Sequence, residues 1–231
     1  MNTFNWFVKG FTRYTDSWLI WSTMTLINLI ALIAIVVLSI YINNYYIAII
    51  LPTIITPFML YGMYHASQQK QPQVKHLLAG FRYRLLPLMT LGITGIIIEL
   101  LLVLTIITTL QIMIPNPYQP TNDQNIILGT TAMGLIGVAL GAIGIVVYWL
   151  SIPTIEKTGF AFPALQLSLK QILRTPYILF SFLVTALFLS VLGSITVIGI
   201  LFTLPIAFLA GVEGYKELNT LPQNRSTTTN N

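Results

Sequence analysis

The chain has 231 residues, of which 55% are hydrophobic and only 7% are charged, against about 25% charged in an ordinary soluble domain. Its mean hydropathy of +0.81 leaves too little polar surface to cover a water-facing globule, so the composition predicts a protein surrounded by lipid. Disulfides, thiolate zinc sites and thiol nucleophiles are excluded because the chain has no cysteine.

The net charge is +5, from 11 basic and 6 acidic residues, and the basic residues are scattered beside apolar runs. That distribution is typical of membrane orientation and of contact with anionic lipid headgroups, rather than of a nucleic-acid-binding face. We therefore expect the lipid bilayer to be the main partner, and no nucleic acid.

Six apolar segments are candidates for all-α membrane spans, each of which needs about 20 mostly apolar residues. We predict the six transmembrane helices at 18–42, 45–64, 86–114, 126–152, 177–192 and 194–212. The first is a retained span, because its apolar run far exceeds the roughly 7–15 residues of a signal-peptide core. Residues 1–217 are expected to form a single membrane domain, and the Asn/Thr-rich 218–231 a disordered tail.

The last apolar run is the ambiguous one. A single helix over 177–212 would be about 54 Å long at 1.5 Å per residue, too long for a hydrocarbon core of about 30 Å. The charges favour a break at Gly193-Ser194, since six spans place all 11 basic residues on one side, whereas five would strand Lys216 and Arg225 on the other. We therefore predict that both termini are cytoplasmic.

Three basic segments share an amphipathic helical pattern, with apolar residues three or four apart on one face and polar residues on the other. They lie at 4–13, 74–85 and 162–173, each ahead of two predicted spans. The pattern fits three repeats of an interfacial helix followed by a two-helix hairpin, and equally fits three unrelated cytoplasmic loops. We expect lipid headgroup contacts from the basic residues Arg13, Lys75, Arg82, Lys170 and Arg174.

Three elements between residues 80 and 216 carry a resemblance to a known group of proteins. They are Gly80-Phe81-Arg82 with Leu85-Leu86-Pro87-Leu88, Ala164-Leu165 with Arg174-Thr175-Pro176, and the run 199–205 with Gly214-Tyr215-Lys216. Over about 73–217 the chain resembles a broad group of uncharacterised bacterial multi-span inner-membrane proteins, classed as a domain of unknown function. The Asn/Thr-rich tail departs from that group. The resemblance implies a bacterial inner-membrane location and a topology, but no activity.

Glu99 is the sharpest candidate for an intramembrane polar site. It lies well inside the third span, where a charge costs at least about 2.5–3.5 kcal/mol, so we expect a neutral carboxyl that faces the bundle interior. It fits either a proton or cation site, or a packing hydrogen bond to a threonine or a carbonyl. No second charged residue accompanies it inside a span. The candidate threonine partners are Thr53, Thr56, Thr130 and Thr131.

The fourth span carries a face of small residues that would let another helix approach closely. These helix-packing candidates are Gly134, Gly137, Gly141 and Gly144. Packing within the chain and a dimer interface both use such a face. The same glycines are not a phosphate loop, because no Lys-Ser/Thr follows them.

No motif of metal binding or catalysis is present. The two histidines, His65 and His76, lie on one polar stretch without an HExxH pattern, and no GxSxG occurs. We therefore predict neither a metal nor a cofactor, and no enzyme. The predicted function is that of an integral inner-membrane protein that packs helices and binds a partner, either another membrane protein or further copies of itself. The alternative is a small transporter or channel-like subunit that uses Glu99.

Overall fold

A computed structural model describes residues 3–113, 147, 149–194 and 197–220, and every regular element in these ranges is a helix. In chain order they are α1 (Thr3–Thr15), α2 (Trp18–Tyr41), α3 (Tyr45–Gln68), a 3₁₀ helix (Val74–Leu78), α4 (Ala79–Tyr83), α5 (Leu85–Met113), α6 (149–158), α7 (Ala161–Arg174), α8 (Pro176–Ser194) and α9 (Val197–Thr220). The predicted all-α class is confirmed for this part of the chain.

Three helices are long and apolar enough to cross a bilayer on their own, namely Trp18–Tyr41, Tyr46–Gln68 and Gly199–Thr220. A fourth crossing is added if Val74–Tyr83 and Leu85–Leu101, which meet at 90°, are counted as one broken span. Pro176–Ala186 is apolar but shorter. The described residues therefore form a membrane-type bundle with three or four such helices, and the count of six stays a prediction.

Three helices continue past the ends that hydropathy predicts. Their predicted ends are 64, 152 and 212, whereas α3, α6 and α9 end at 68, 158 and 220. Their polar last turns are held by contacts within the protein: Ser67 and Leu218 are buried, and Asn219 accepts a hydrogen bond from the amide of Gln171 at 3.1 Å. Residues 218–220 are thus helical rather than part of a tail.

The first helix packs lengthwise against the last. Gly10 makes the close approach possible, because a Cβ there would lie only 2.5 Å from the backbone nitrogen of Ala210. Four residues earlier, the Trp6 indole covers Gly214 and is 1% exposed. The short helix α1 is therefore part of the core as well as of the surface.

A second close approach brings the short segment 74–83 onto α3. A Cβ at Gly62 would lie 2.4 Å from the backbone oxygen of Leu77, and one at Gly80 would lie 2.8 Å from that of Phe58. These contacts fix the 3₁₀ helix and α4 beside the same end of α3 that α1 reaches through Arg13. We call this end, formed by α1, segment 74–83, α7 and the last turns of α3, α6 and α9, the basic end of the bundle.

Candidate functional site

The short helices of the basic end leave apolar side chains exposed at helical spacing. We call these the apolar stripes; they are Phe4, Val8 and Phe11 on α1, then Leu78, Phe81 and Leu85, then Phe162, Leu169 and Leu173 on α7. Separations of three, four or seven residues place the α1 set and the α7 set each on one side of its helix. Leu78, Phe81 and Leu85 instead lie on the 3₁₀ helix, α4 and the start of α5, which follow one another along the chain. The predicted segments 4–13 and 162–173 each lie within one helix, α1 and α7, whereas 74–85 is divided among the 3₁₀ helix, α4 and the first residue of α5.

Part of each predicted apolar face is turned inward instead. Phe7 on α1 and Ile172 on α7 belong to the predicted stripes, yet both are buried in a cluster with Trp6 and Phe182. The Phe7 and Phe182 rings lie 5.5 Å apart, centroid to centroid. Each short helix therefore has a face toward the protein, an exposed apolar stripe and a polar side.

Four of the five basic residues predicted to bind headgroups are exposed beside the stripes: Lys75, Arg82, Lys170 and Arg174. The guanidinium of Arg82 lies 5.4 Å from the centroid of the Tyr83 ring, which holds it near the surface. Their headgroup contacts stay a prediction, and the geometry leaves these side chains accessible for them.

Arg13, the fifth, has partners within the protein. Its Nη1 lies 2.6 Å from Oε1 of Glu213, which also accepts from Lys216 at 2.9 Å, and its Nη2 donates to the backbone carbonyl of Ser67. The Trp6 indole donates to the Glu217 carboxylate one turn away at 2.9 Å. We call Arg13, Ser67 and Glu213 the ionic junction; it ties α1 to α3 and α9.

A group of aromatic and titratable side chains lies between α3 and segment 74–83. The His65 and His76 rings stand edge to face with centroids 5.7 Å apart, and Tyr83 lies 5.9 Å from His65. His76 Nδ1 accepts the backbone N–H of Gln73 at 3.2 Å. Partial burial, with the neighbouring His65 and Lys75, lowers the pKa of His76 and favours its neutral form.

Beside this pair, the Tyr61 hydroxyl donates to the carboxylate of Glu156 on α6. The sequence shows neither of these pairings, because His65 and His76 are eleven residues apart, and Tyr61 and Glu156 are 95 apart. In the part of the chain that the structure describes, no three His, Cys, Asp or Glu residues are close enough to hold a metal ion.

Glu99 lies on α5, half-buried, and faces α3. Its Oε2 is 2.7 Å from Oγ1 of Thr53, one of the predicted threonine partners, and the same Oγ1 lies 2.8 Å from the carbonyl of Ile49. Thr56, another predicted partner, donates instead to the Pro52 carbonyl. The contact gives the carboxyl a polar partner inside the bundle.

The remaining predicted positions cannot be placed. Gly134, Gly137, Gly141 and Gly144 lie outside the described residues, as do Thr130 and Thr131. The helix-packing role of the four glycines stays a prediction.

These features define an all-helical membrane protein with short amphipathic helices gathered at one end. Comparison of the chain with protein-family models, with curated proteins and with solved structures finds no match. We therefore infer the function from the chemistry of these features.

Proposed function

We propose that this chain is a multi-pass protein of a bacterial inner membrane, with six spans and both termini in the cytoplasm. Its role is non-catalytic: it packs helices and binds a partner, another membrane protein or further copies of itself, at the inner leaflet. The observation that carries the proposal is the set of apolar stripes with exposed Lys and Arg beside them.

The stripes fit a membrane surface. Contiguous exposed apolar patches mark interaction sites in soluble proteins, and a helix with an apolar stripe and a basic side lies naturally at the headgroup boundary. The right angle between 74–83 and 85–101 supports the same arrangement, because a chain that leaves the membrane plane to cross the bilayer makes such a turn. In this proposal the basic end lies against the inner leaflet.

Removing the exposed basic residues tests the proposal. The quadruple variant Lys75→Gln, Arg82→Gln, Lys170→Gln and Arg174→Gln is expected to bind anionic lipid tenfold or more weakly, since each basic residue near the surface contributes about 1 kcal/mol. The measurement is the selectivity for spin-labelled phosphatidylglycerol over phosphatidylcholine in reconstituted vesicles.

The matched control keeps the charges and exchanges the residue types, as Lys75→Arg, Arg82→Lys, Lys170→Arg and Arg174→Lys. It should retain the selectivity of the wild type, because electrostatic attraction to lipid depends on charge. Equal lipid selectivity in the glutamine variant and the wild type would contradict the proposal that the basic end lies against an anionic leaflet.

The proposed topology has its own test. Reporter fusions after Asn44, Asn122, Lys157 and Thr220 are expected to report periplasm, periplasm, cytoplasm and cytoplasm in that order. The reason is the partition of Lys and Arg among the connections. A periplasmic signal at Thr220 would contradict six spans and favour five.

A second candidate function, a transporter or channel-like subunit, rests on Glu99. If the carboxyl only packs against Thr53, Glu99→Gln should leave membrane abundance and the deletion phenotype normal, because an amide keeps the hydrogen bond. Glu99→Leu should cost about 1 kcal/mol of stability. We expect this structural pattern. Normal abundance with loss of function in both variants would instead establish a proton- or cation-coupled role.

A further inference from the structure

An apolar cavity of about 300 Å³ lies among α2, α3, α8 and α9, with Trp149 of α6 also in its lining. One wall is aromatic: the Trp149 ring centroid lies 5.6 Å from that of Phe182 and 5.9 Å from that of Phe208. The volume is at the lower end of the range for small-molecule sites, about 300–1,000 Å³. No charged side chain lines the cavity.

One side-chain amide also lines the cavity. Asn28 on α2 is half-buried, and its Nδ2 reaches only the Sδ of Met63, at 3.4 Å. A thioether is a weak acceptor, and the structure shows no other partner for the amide within the residues it describes. Asn28 is about 15 Å along α2 from Trp18, so its donors and its acceptor lie near the middle of a span.

The two hydroxyl groups of the lining are already hydrogen-bonded. The hydroxyls of Thr25 and Thr56 donate to carbonyls of their own helices, those of Trp21 and Pro52, at 3.0 and 2.7 Å. A buried water needs two to four polar partners, which this lining supplies poorly. The acyl chain of a bilayer lipid would fill the space at this depth, but it carries no hydrogen-bond acceptor for the Asn28 amide.

We propose that the cavity binds a neutral lipophilic ring compound with a carbonyl group, of the quinone class. The carbonyl accepts a hydrogen bond from the Asn28 amide, and the flat ring lies against Trp149, Phe182 and Phe208. Aromatic rings favour offset or edge contacts with another ring at such a wall. This site is independent of the lipid-surface role, because it uses no residue of the basic end.

The test uses the full chain in lipid nanodiscs, titrated with a short-tailed benzoquinone while tryptophan fluorescence is recorded. Trp149 lines the cavity, so binding should quench its emission and should saturate. Asn28→Leu is expected to weaken binding about tenfold, because it removes one hydrogen bond. Ala186→Phe, which fills the cavity, should abolish the saturable phase. Ile30→Leu, exposed on the same helix, should bind as the wild type does.

A competitor separates the quinone from a simple hydrocarbon. The alkylbenzene with the same tail but no carbonyl should displace the quinone at least tenfold less well. Quenching that never saturates, an unchanged midpoint in Asn28→Leu, or equal competition by the alkylbenzene would each overturn the proposal. If Ala186→Phe is misfolded by size-exclusion chromatography, Asn28→Leu and the competitor still decide it.

Discussion

Gly10→Leu is expected to destabilise the protein by about 3 kcal/mol or more and to separate α1 from α9. Even a Cβ at this position would lie 2.5 Å from the backbone nitrogen and 2.8 Å from the Cα of Ala210. Backbone atoms inside a helix cannot move aside locally, and overpacking of a well-packed contact costs typically 1–3 kcal/mol, occasionally more. Trp6 and Phe7 would then lose their contacts with Phe182.

Thermal unfolding in detergent, followed by tryptophan fluorescence, measures this effect. The control is Val8→Leu, on the same helix but 47% exposed, for which we expect a change within about 0.5 kcal/mol. Gly10→Ala should fall between the two. A Gly10→Leu variant as stable as Val8→Leu would show that α1 does not pack on α9 as described.

We expect the second large loss of stability from breaking the ionic junction. Arg13→Met is expected to cost about 2–3 kcal/mol, between the 0–1 of a surface pair and the 3–5 of a fully buried one. The intermediate value follows because the side chains of Arg13 and Glu213 are 29% and 18% exposed. The variant also removes the donor to the Ser67 carbonyl, so α1 loses a tie to α3 as well as to α9.

A double-mutant cycle isolates the pair. The double variant Arg13→Met/Glu213→Gln should lose less stability than the two single variants lose together. In Arg13→Met the Glu213 carboxylate keeps only Lys216 as its charged partner, and Glu213→Gln removes that carboxylate. Lys9→Met, an exposed basic residue on the same helix, is the matched control and should be nearly neutral. Strict additivity of Arg13→Met and Glu213→Gln would contradict the coupling.

Local pattern predicts the short helices well. Apolar residues three and four apart identify 4–13 and 162–173 as helical because helix formation depends on neighbours in sequence. The pattern does not show that 74–85 is divided among the 3₁₀ helix, α4 and α5. The same pattern could not tell Phe7 from Phe11. One packs on Phe182 and the other is exposed, although both are phenylalanines in the same short segment.

The charge pattern predicts less of the structure than the hydropathy pattern does. The 11 basic residues predict which end faces the cytoplasm. Nothing local distinguishes Arg13 from Arg174, yet of these two only Arg13 has a carboxylate partner within the described ranges. The same limit hides the contacts of Tyr61 with Glu156 and of His65 with His76. Such pairs depend on how separate helices pack together in the fold, which a single sequence does not state.

The contact between the first and last helices also bears on how the chain is made. Arg13 and Glu213 are 200 residues apart, and synthesis at about 5–20 residues per second separates their appearance by about 10–40 s. Until α9 has emerged, Trp6 and Phe7 have no α9 to cover them. A nascent chain halted before α9 would thus keep its N-terminal helix exposed to chaperones and proteases.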